Sequence, residues 1–140
     1  MIKRIVIKGE SGYGPIDMAY KDKVTVTESS IAYEYTPYIE TETNMPRKWA
    51  YRTNSPDFKN LFSAAAETIP AVLAIDEPWV TDIGDTTFII TYDDGRKETK
   101  SFGLPGDAFQ DTFSIIKKMV PGCEDLPAVL MTSDDYKEQA

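Results

Sequence analysis

The 140-residue sequence contains no histidine and only one cysteine, Cys123. Histidine is the usual general base near neutral pH, so its absence excludes catalytic sites of the Ser-His-Asp and Cys-His kinds within this chain. A single cysteine excludes an internal disulfide, and a zinc site built from Cys and His ligands is excluded as well. We therefore expect no metal or other cofactor, and the lone thiol favours a cytoplasmic location.

Long apolar runs and positive charge are also scarce. The sequence has no stretch of the roughly 18–20 apolar residues that span a bilayer. The short apolar run from Ile5 to Ile7 predicts a first strand and not a secretory signal. The chain carries 15 basic and 23 acidic residues, a net charge of −8. Because nucleic acids and anionic membranes attract basic proteins, we expect neither as a partner.

What the sequence does contain is a series of short alternating segments, which are typical of half-buried strands. They begin at Ile2 and include "SIAYEYTPY", where Glu34 has the opposite parity to its aromatic neighbours. The triplet "KDK" at residues 21–23 is predicted to be the turn between two strands. In a later hairpin, Asp94-Gly95 predicts a tight turn. A three-residue loop is favoured over a two-residue loop because it places Phe102 on the same face as Phe88.

Two helices are predicted from capping residues and apolar spacing. Ser55 is the expected N-cap of the first helix, Pro56 occupies its first turn, and Pro70 is expected to end it. Asp107 is the expected cap of the second helix, in a capping box with Gln110. Both helices follow the strands of the first half of the chain.

This order of elements indicates an α+β fold. We expect an antiparallel, meander-like sheet of about five to seven strands, with two helices packed on one face. No linker divides the chain, so residues 1–140 are predicted to be a single domain. Residues 132–140 are predicted to be a flexible acidic tail.

Two segments carry the glycines and charges of a ligand-binding loop but lack its spacing. In "GESGYGP" no lysine follows the last glycine, as a phosphate-binding loop requires. The hairpin "TYDDGRKETKSFG" lacks the acidic spacing of a calcium-binding loop. Both segments are predicted to be ordinary loops or turns, and no catalytic residue is assigned.

The most unusual feature is a group of aromatic residues within nineteen positions of the chain. Aromatic side chains bring large contact area at low entropic cost, so they suit a binding surface. They also suit the packing layer between a sheet and its helices, and the parity of Glu34 favours that arrangement. If they form a binding surface, its residues are Tyr33, Tyr35, Tyr38, Trp49 and Tyr51.

In its order of elements, and in the stretches "YRTNSPDFKNLF" and "FIITYDDGRKETKSFGLPGDAF", the chain resembles small uncharacterised bacterial α+β proteins. The resemblance covers about the last two thirds of the sequence and rests mainly on caps and turns. It implies the fold, and it brings no catalytic motif.

These observations favour a non-catalytic cytoplasmic module that binds another protein. A second hypothesis is an enzyme that works without histidine, using carboxylates or tyrosine, with a sugar as a candidate substrate. A third is an acidic inhibitor or immunity-type protein whose negative charge occupies a basic site. Converging carboxylates in a deep pocket would favour the enzyme, and a flat exposed surface would favour the binding module.

Overall fold

Six strands and three α-helices form the part of the chain that this computed structural model describes, residues 1–11, 15–76 and 85–138. In chain order they are β1 (Ile2–Glu10), β2 (Tyr20–Thr27), β3 (Ser30–Pro37), β4 (Arg47–Arg52), α1 (Pro56–Leu73), β5 (Asp85–Tyr92), β6 (Lys97–Phe102), α2 (Gln110–Lys117) and α3 (Ser133–Glu138). Three short 3-10 helices lie at Ile16–Met18, Gly106–Phe109 and Ala128–Leu130.

The strands form one antiparallel sheet in the order β4-β3-β2-β1-β5-β6. The first four strands are a meander. After α1 the chain returns to the middle of the sheet, where β5 pairs with β1. These features confirm the predicted α+β fold and single domain, with a sheet inside the predicted range of strand numbers.

One face of the sheet and the helices bury a shared apolar core. Alternate strand residues point inward because successive side chains on a strand face opposite sides. Four phenylalanines join sheet to helix, with ring centroids 5.1–6.1 Å apart. They are Phe88, Phe102, Phe109 and Phe113. The largest other contributions from the helices are Phe58, Phe62, Ile69 and Ile116.

The first helix begins where its sequence predicts but ends later. The Ser55 hydroxyl accepts a hydrogen bond from the Phe58 amide at 3.5 Å, which confirms the N-cap. Pro70 does not end α1, which continues to Leu73. A proline in the last turn removes one backbone hydrogen bond. The burial of Ile69 and Val72 on the same helical stripe outweighs that loss.

The second helix does not have the predicted cap. A 3-10 turn at Gly106–Phe109 precedes α2, which begins at Gln110 without a side-chain capping bond. The Asp107 carboxylate instead accepts hydrogen bonds from the Ser133 amide at 2.7 Å and the Ser133 hydroxyl at 2.5 Å. Asp107 is therefore used to hold the start of α3, a contact between segments distant in sequence.

The β5–β6 hairpin has the predicted three-residue loop. The Tyr92 amide donates to the Arg96 carbonyl at 2.9 Å, and Gly95 adopts a φ of 88°. This register places Phe102 opposite Thr86, on the buried side with Phe88. The charged strand β6 lies at the edge of the sheet, where its side chains discourage pairing with another chain.

The predicted turn at "KDK" is wrong. β2 runs without interruption from Tyr20 to Thr27, and the chain turns after it, at residues 28–29. Lys21 and Lys23 point to solvent, while Asp22 between them points into the core and is 4% exposed. The charged triplet misled the prediction because strand alternation placed one of its charges inside the protein.

The predicted flexible tail is anchored where it begins. Thr132 is 1% exposed, and the Asp135 carboxylate accepts hydrogen bonds from the Thr132 amide at 2.9 Å and from Lys117 Nζ at 2.6 Å. This contact fixes the first turn of α3 against α2. Residues 139–140 of the predicted tail lie outside the described residues, as do residues 12–14 of the predicted glycine-containing loop.

Candidate functional site: the open sheet face and the Asp22 cleft

The helices cover one side of the sheet and leave the other side uncovered. We call this uncovered side the open face. It is formed by the strand residues that alternate with the core residues, and the cross-strand register arranges most of them in rows. From β4 to β6, the central row is Ala50, Ala32, Thr25, Val6, Ile89 and Thr99.

Basic residues flank this central row. On one side the neighbouring row runs through Lys48, Glu34, Lys23, Lys8, Thr87 and Ser101. On the other side the row contains Arg52, Ser30, Thr27, Arg4, Thr91 and Lys97. The open face thus presents an uncharged stripe of mostly small side chains between two rows rich in Lys and Arg.

The charge of the open face is opposite to that of the whole protein. With Lys21, Glu10 and Asp85 at one end of the strands, its outward residues include seven bases and three acids. The rest of the chain has eight bases and twenty acids, because the whole sequence has 15 bases and 23 acids. A strongly acidic protein therefore carries a locally positive surface.

Polar contacts within the open face are few. Lys23 lies 3.6 Å from Glu34, the Thr87 and Ser101 hydroxyls are 2.9 Å apart, and the Thr27 and Ser30 hydroxyls are 2.6 Å apart. Within the described part of the chain Lys8 and Lys48 form no ion pair, and both are exposed. The described outward residues of the strands include no aromatic ring.

The five aromatic candidates do not meet on one exposed surface. Tyr33 and Tyr35 are buried, at 4% and 8% exposure, and Trp49 is half-buried beside Tyr33 with ring centroids 5.8 Å apart. Tyr38 and Tyr51 are exposed, at 43% and 42%. The core-packing interpretation therefore describes Tyr33 and Tyr35.

The exposed members of the group lie at different places. Tyr38 donates a hydrogen bond to Glu10 and lies under Lys21, whose Nζ is 5.7 Å from the ring centroid. Tyr51 packs edge-on against Phe58 of α1, with centroids 6.2 Å apart. Each exposed ring thus has a structural contact of its own.

The most unusual polar group in the described core is the Asp22 carboxylate. Its Oδ2 accepts hydrogen bonds from the Tyr33 hydroxyl at 2.8 Å and from the Val129 amide at 2.9 Å. Its Oδ1 is buried and has no hydrogen-bond partner. A buried polar atom without a partner loses the hydrogen bonds that water would supply.

Burial is the main cause of the pKa shifts of Asp22 and Tyr33. Desolvation raises the pKa of Asp22, although the hydrogen bonds from Tyr33 and Val129 and the positive charge of Arg47 oppose the rise. Desolvation, followed by the neighbouring Asp22 charge, also raises the pKa of Tyr33 far above its usual value. Tyr33 therefore stays protonated and donates to Asp22, while its oxygen accepts from the Ala128 amide at 3.2 Å.

A cleft of about 430 Å³ lies at this end of the sheet, and Asp22 lines it. We call it the Asp22 cleft. It is bounded by the end of β1, the starts of β2 and β5, the 3-10 turn before α2 and the segment leading into α3. Its acidic lining residues are Glu10, Asp22, Asp85 and Asp107.

Two glycines give this region its shape. A Cβ at Gly9 would lie 2.4 Å from Asp22 Oδ1 and 2.8 Å from the Val129 side chain. A Cβ at Gly106 would lie 2.3 Å from the Met131 carbonyl oxygen. Real Cβ atoms do not approach other atoms so closely, so larger residues would displace the walls of the cleft.

Other groups with chemical potential are isolated. Cys123 is a free, exposed thiol. The part of the chain that the structure describes has no group of three or more acidic or cysteine side chains arranged to hold a metal ion. Among its helices, none combines the length and the apolar character needed to cross a membrane.

Comparisons of the chain with models of protein families, with curated proteins and with solved structures find no match. The resemblance to small bacterial α+β proteins consequently stays a prediction.

Sequence reasoning missed both the open face and Asp22. The sequence did contain a signal for Asp22, because Tyr20, Val24 and Val26 share its parity and continue through the triplet if no turn is assumed. The charge of the open face carried no such signal, because it depends on the pairing of all six strands.

Proposed function

We propose that this protein is a non-catalytic binding module whose open face binds an acidic amphipathic segment of another protein. The observation that supports it is the charge reversal: the open face has seven bases and three acids on a chain of net charge −8. Charge complementarity steers association and selects partners. A partner segment with Asp and Glu beside a small apolar face complements this arrangement.

The dimensions of the open face suit a helix. Neighbouring rows on one face of a sheet are about 7 Å apart, because they are two residues apart along each strand. The two basic rows that flank the central row are therefore about 13 Å apart, and an α-helix with its side chains is about 10–12 Å wide. A helix laid on the central row brings acidic residues on both of its sides to Lys or Arg.

Two other occupants fit less well. Single-stranded nucleic acids bind sheet surfaces largely by stacking bases on aromatic rings; the described strand residues of the open face include no ring, and the exposed Tyr38 borders it beside Lys21 and Glu10. A second copy packed face to face would oppose two positive surfaces, which is unfavourable. We therefore favour an acidic protein segment as the occupant.

We also propose a cytoplasmic location for the protein, on the basis of its lone thiol.

The proposal is tested with a fluorescent synthetic helix that carries an Ala/Leu stripe flanked by glutamates. Fluorescence anisotropy is expected to show saturable binding that weakens with added salt. Replacement of Lys8 and Lys48 by Glu is expected to weaken binding at least about tenfold, because both lysines lie exposed beside the central row.

The matched control is Lys118→Glu, which makes the same kind of charge change on the exposed end of α2. It is expected to leave the affinity within about twofold of wild type. Absence of saturable binding, or equal weakening by Lys118→Glu and by the changes at Lys8 and Lys48, would contradict the proposal. A second synthetic helix carries lysines in place of the glutamates, and tighter binding of that helix would favour the acidic-inhibitor hypothesis instead.

A further inference from the structure

The Asp22 cleft contains a buried carboxylate oxygen that the described protein groups do not satisfy. Asp22 is 4% exposed and lines the cleft, and its Oδ1 has no partner while Oδ2 has two. Carboxylate oxygens accept several hydrogen bonds, and strong ones come from cationic donors. Oδ1 therefore offers an acceptor to a donor that comes from outside the chain.

The lining of the cleft defines the charge of such a donor. Four acidic residues line it, and none of its described lining residues is Lys or Arg. The buried Thr86 hydroxyl is a further acceptor in this lining, whereas the Thr132 hydroxyl already accepts from Lys117 Nζ at 3.4 Å. Arg47, which lowers the pKa of Asp22, lies outside this lining and stacks on Tyr35 at 4.2 Å from the ring centroid.

The absence of a side chain at Gly9 gives the Asp22 carboxylate its place against β1. Gly9 pairs with Asp22 across β1 and β2, and a Cβ at that position would collide with Oδ1. The volume of about 430 Å³ is in the range of pockets that hold small molecules. The acidic groups are not arranged as a metal site within the described residues, so an organic cation fits better than a bare ion.

We propose that the Asp22 cleft binds a primary amine, with the ammonium group donating a hydrogen bond to Asp22 Oδ1. A primary ammonium provides three donors on a compact positive charge, which suits a carboxylate that shares its cleft with other acidic residues and with the Thr86 hydroxyl. The amine is either a free alkyl amine or a lysine side chain of another protein. The key acceptor of this site lies on the core side of β2, whereas the proposed peptide contact is centred on the central row of the open face; the two regions share Glu10 and Asp85 at the end of the strands.

The test uses the full-length, isotope-labelled protein and a pair of probes of the same chain length. In an amide chemical-shift titration, 1,4-diaminobutane is expected to shift Gly9, Val129 and Thr132 saturably, and 1,4-butanediol is not. Nα-acetyl-lysine amide is titrated in parallel. Tighter binding of the diamine assigns the cleft to free amines, and tighter binding of the lysine derivative assigns it to a protein side chain.

Asp22→Asn keeps the shape of the side chain and removes its charge, so it is expected to weaken amine binding at least about tenfold. The control Glu67→Gln makes the same chemical change on the exposed side of α1 and is expected to stay within about twofold. Met131→Lys, which puts an ammonium into the lining, is expected to block binding and decides the question if Asp22→Asn does not fold.

Three results would overturn the inference. They are the absence of saturable shifts in the cleft with the diamine and the lysine derivative, equal binding of the diol, or wild-type affinity in a folded Asp22→Asn protein. Failure of the acidic-helix experiment on the open face would leave the inference intact, because the two probes carry opposite charges and the amine is assigned to Asp22 Oδ1, on the core side of β2.

Discussion

The Asp22 side chain links several segments of the fold, although burial of its charge is unfavourable. It connects β2 to β3 through Tyr33 and to the 3-10 turn Ala128–Leu130 through Val129, so its carboxylate joins three segments of the chain. Its pKa is raised, chiefly by desolvation. Ionised Asp22 therefore costs the folded state free energy that the unfolded chain does not bear.

This cost predicts a specific pH dependence. Because the folded pKa of Asp22 is raised, its contribution to stability is complete below the unfolded value of about 3.8 and is lost as pH rises through the folded pKa. Asp22→Asn does not titrate at this position. From about pH 4 to pH 7, the free energy of unfolding of wild type should fall relative to that of Asp22→Asn.

Urea unfolding of both proteins across this range measures the difference. Asp135 has the opposite sign: the hydrogen bonds from Lys117 and Thr132 outweigh desolvation and lower its pKa. The contribution of Asp135 to the free energy of unfolding is present at neutral pH and is lost as pH falls. It is the same in wild type and in Asp22→Asn, so it cancels when the two proteins are compared. A difference that does not change with pH would show that Asp22 is not perturbed as described.

At the scale of elements, local signals predicted structure well and distant contacts did not. The N-cap at Ser55 and the loop at Gly95 depend on residues within a few positions, and both predictions are confirmed. Asp107 had an equally good local pattern, yet its carboxylate binds Ser133, 26 residues further along the chain. Sequence propensity identifies a capping residue, but tertiary packing determines from which amide its side chain accepts a hydrogen bond.

The N-cap supplies a quantitative prediction for α1. Ser55→Ala removes the acceptor for the Phe58 amide, so the free energy of unfolding should fall by about 0.5–2 kcal/mol. Thermal or urea unfolding measures this change. Ser63→Ala, on the exposed face of the same helix, is the control and should change stability by less than about 0.5 kcal/mol. Equal stability of wild type and Ser55→Ala would contradict the capping role.

At the scale of the whole molecule, the average charge conceals an uneven distribution. The sequence predicted an acidic protein and an α+β fold, because composition and element order can be read along the chain. It did not predict the positive open face, since Lys8, Lys23 and Lys48 come to lie in one row only through the pairing of β1, β2, β3 and β4. Register brings together charges that are far apart in the sequence.

The same pairing explains what became of the aromatic candidates. Tyr33 and Tyr35 alternate with Glu34, so the aromatic side of β3 is buried and the charged side becomes part of the open face. The Tyr33 hydroxyl meets the Ala128 amide, and the Tyr35 hydroxyl donates to Asn44. Parity within one strand was readable from the sequence. The side of β3 that is buried follows from the apolar residues of the neighbouring strands. The exposed side of the sheet is therefore basic and not aromatic.

The most direct test of the binding proposal locates the contact on the protein surface. The isotope-labelled protein is titrated with the acidic helix, and amide shifts are mapped on the structure. The account predicts that the largest shifts cluster along the central row, at Val6, Thr25, Ala32 and Ile89, with little change in α1. Shifts concentrated in α1 and α2, with the central row unchanged, would contradict it.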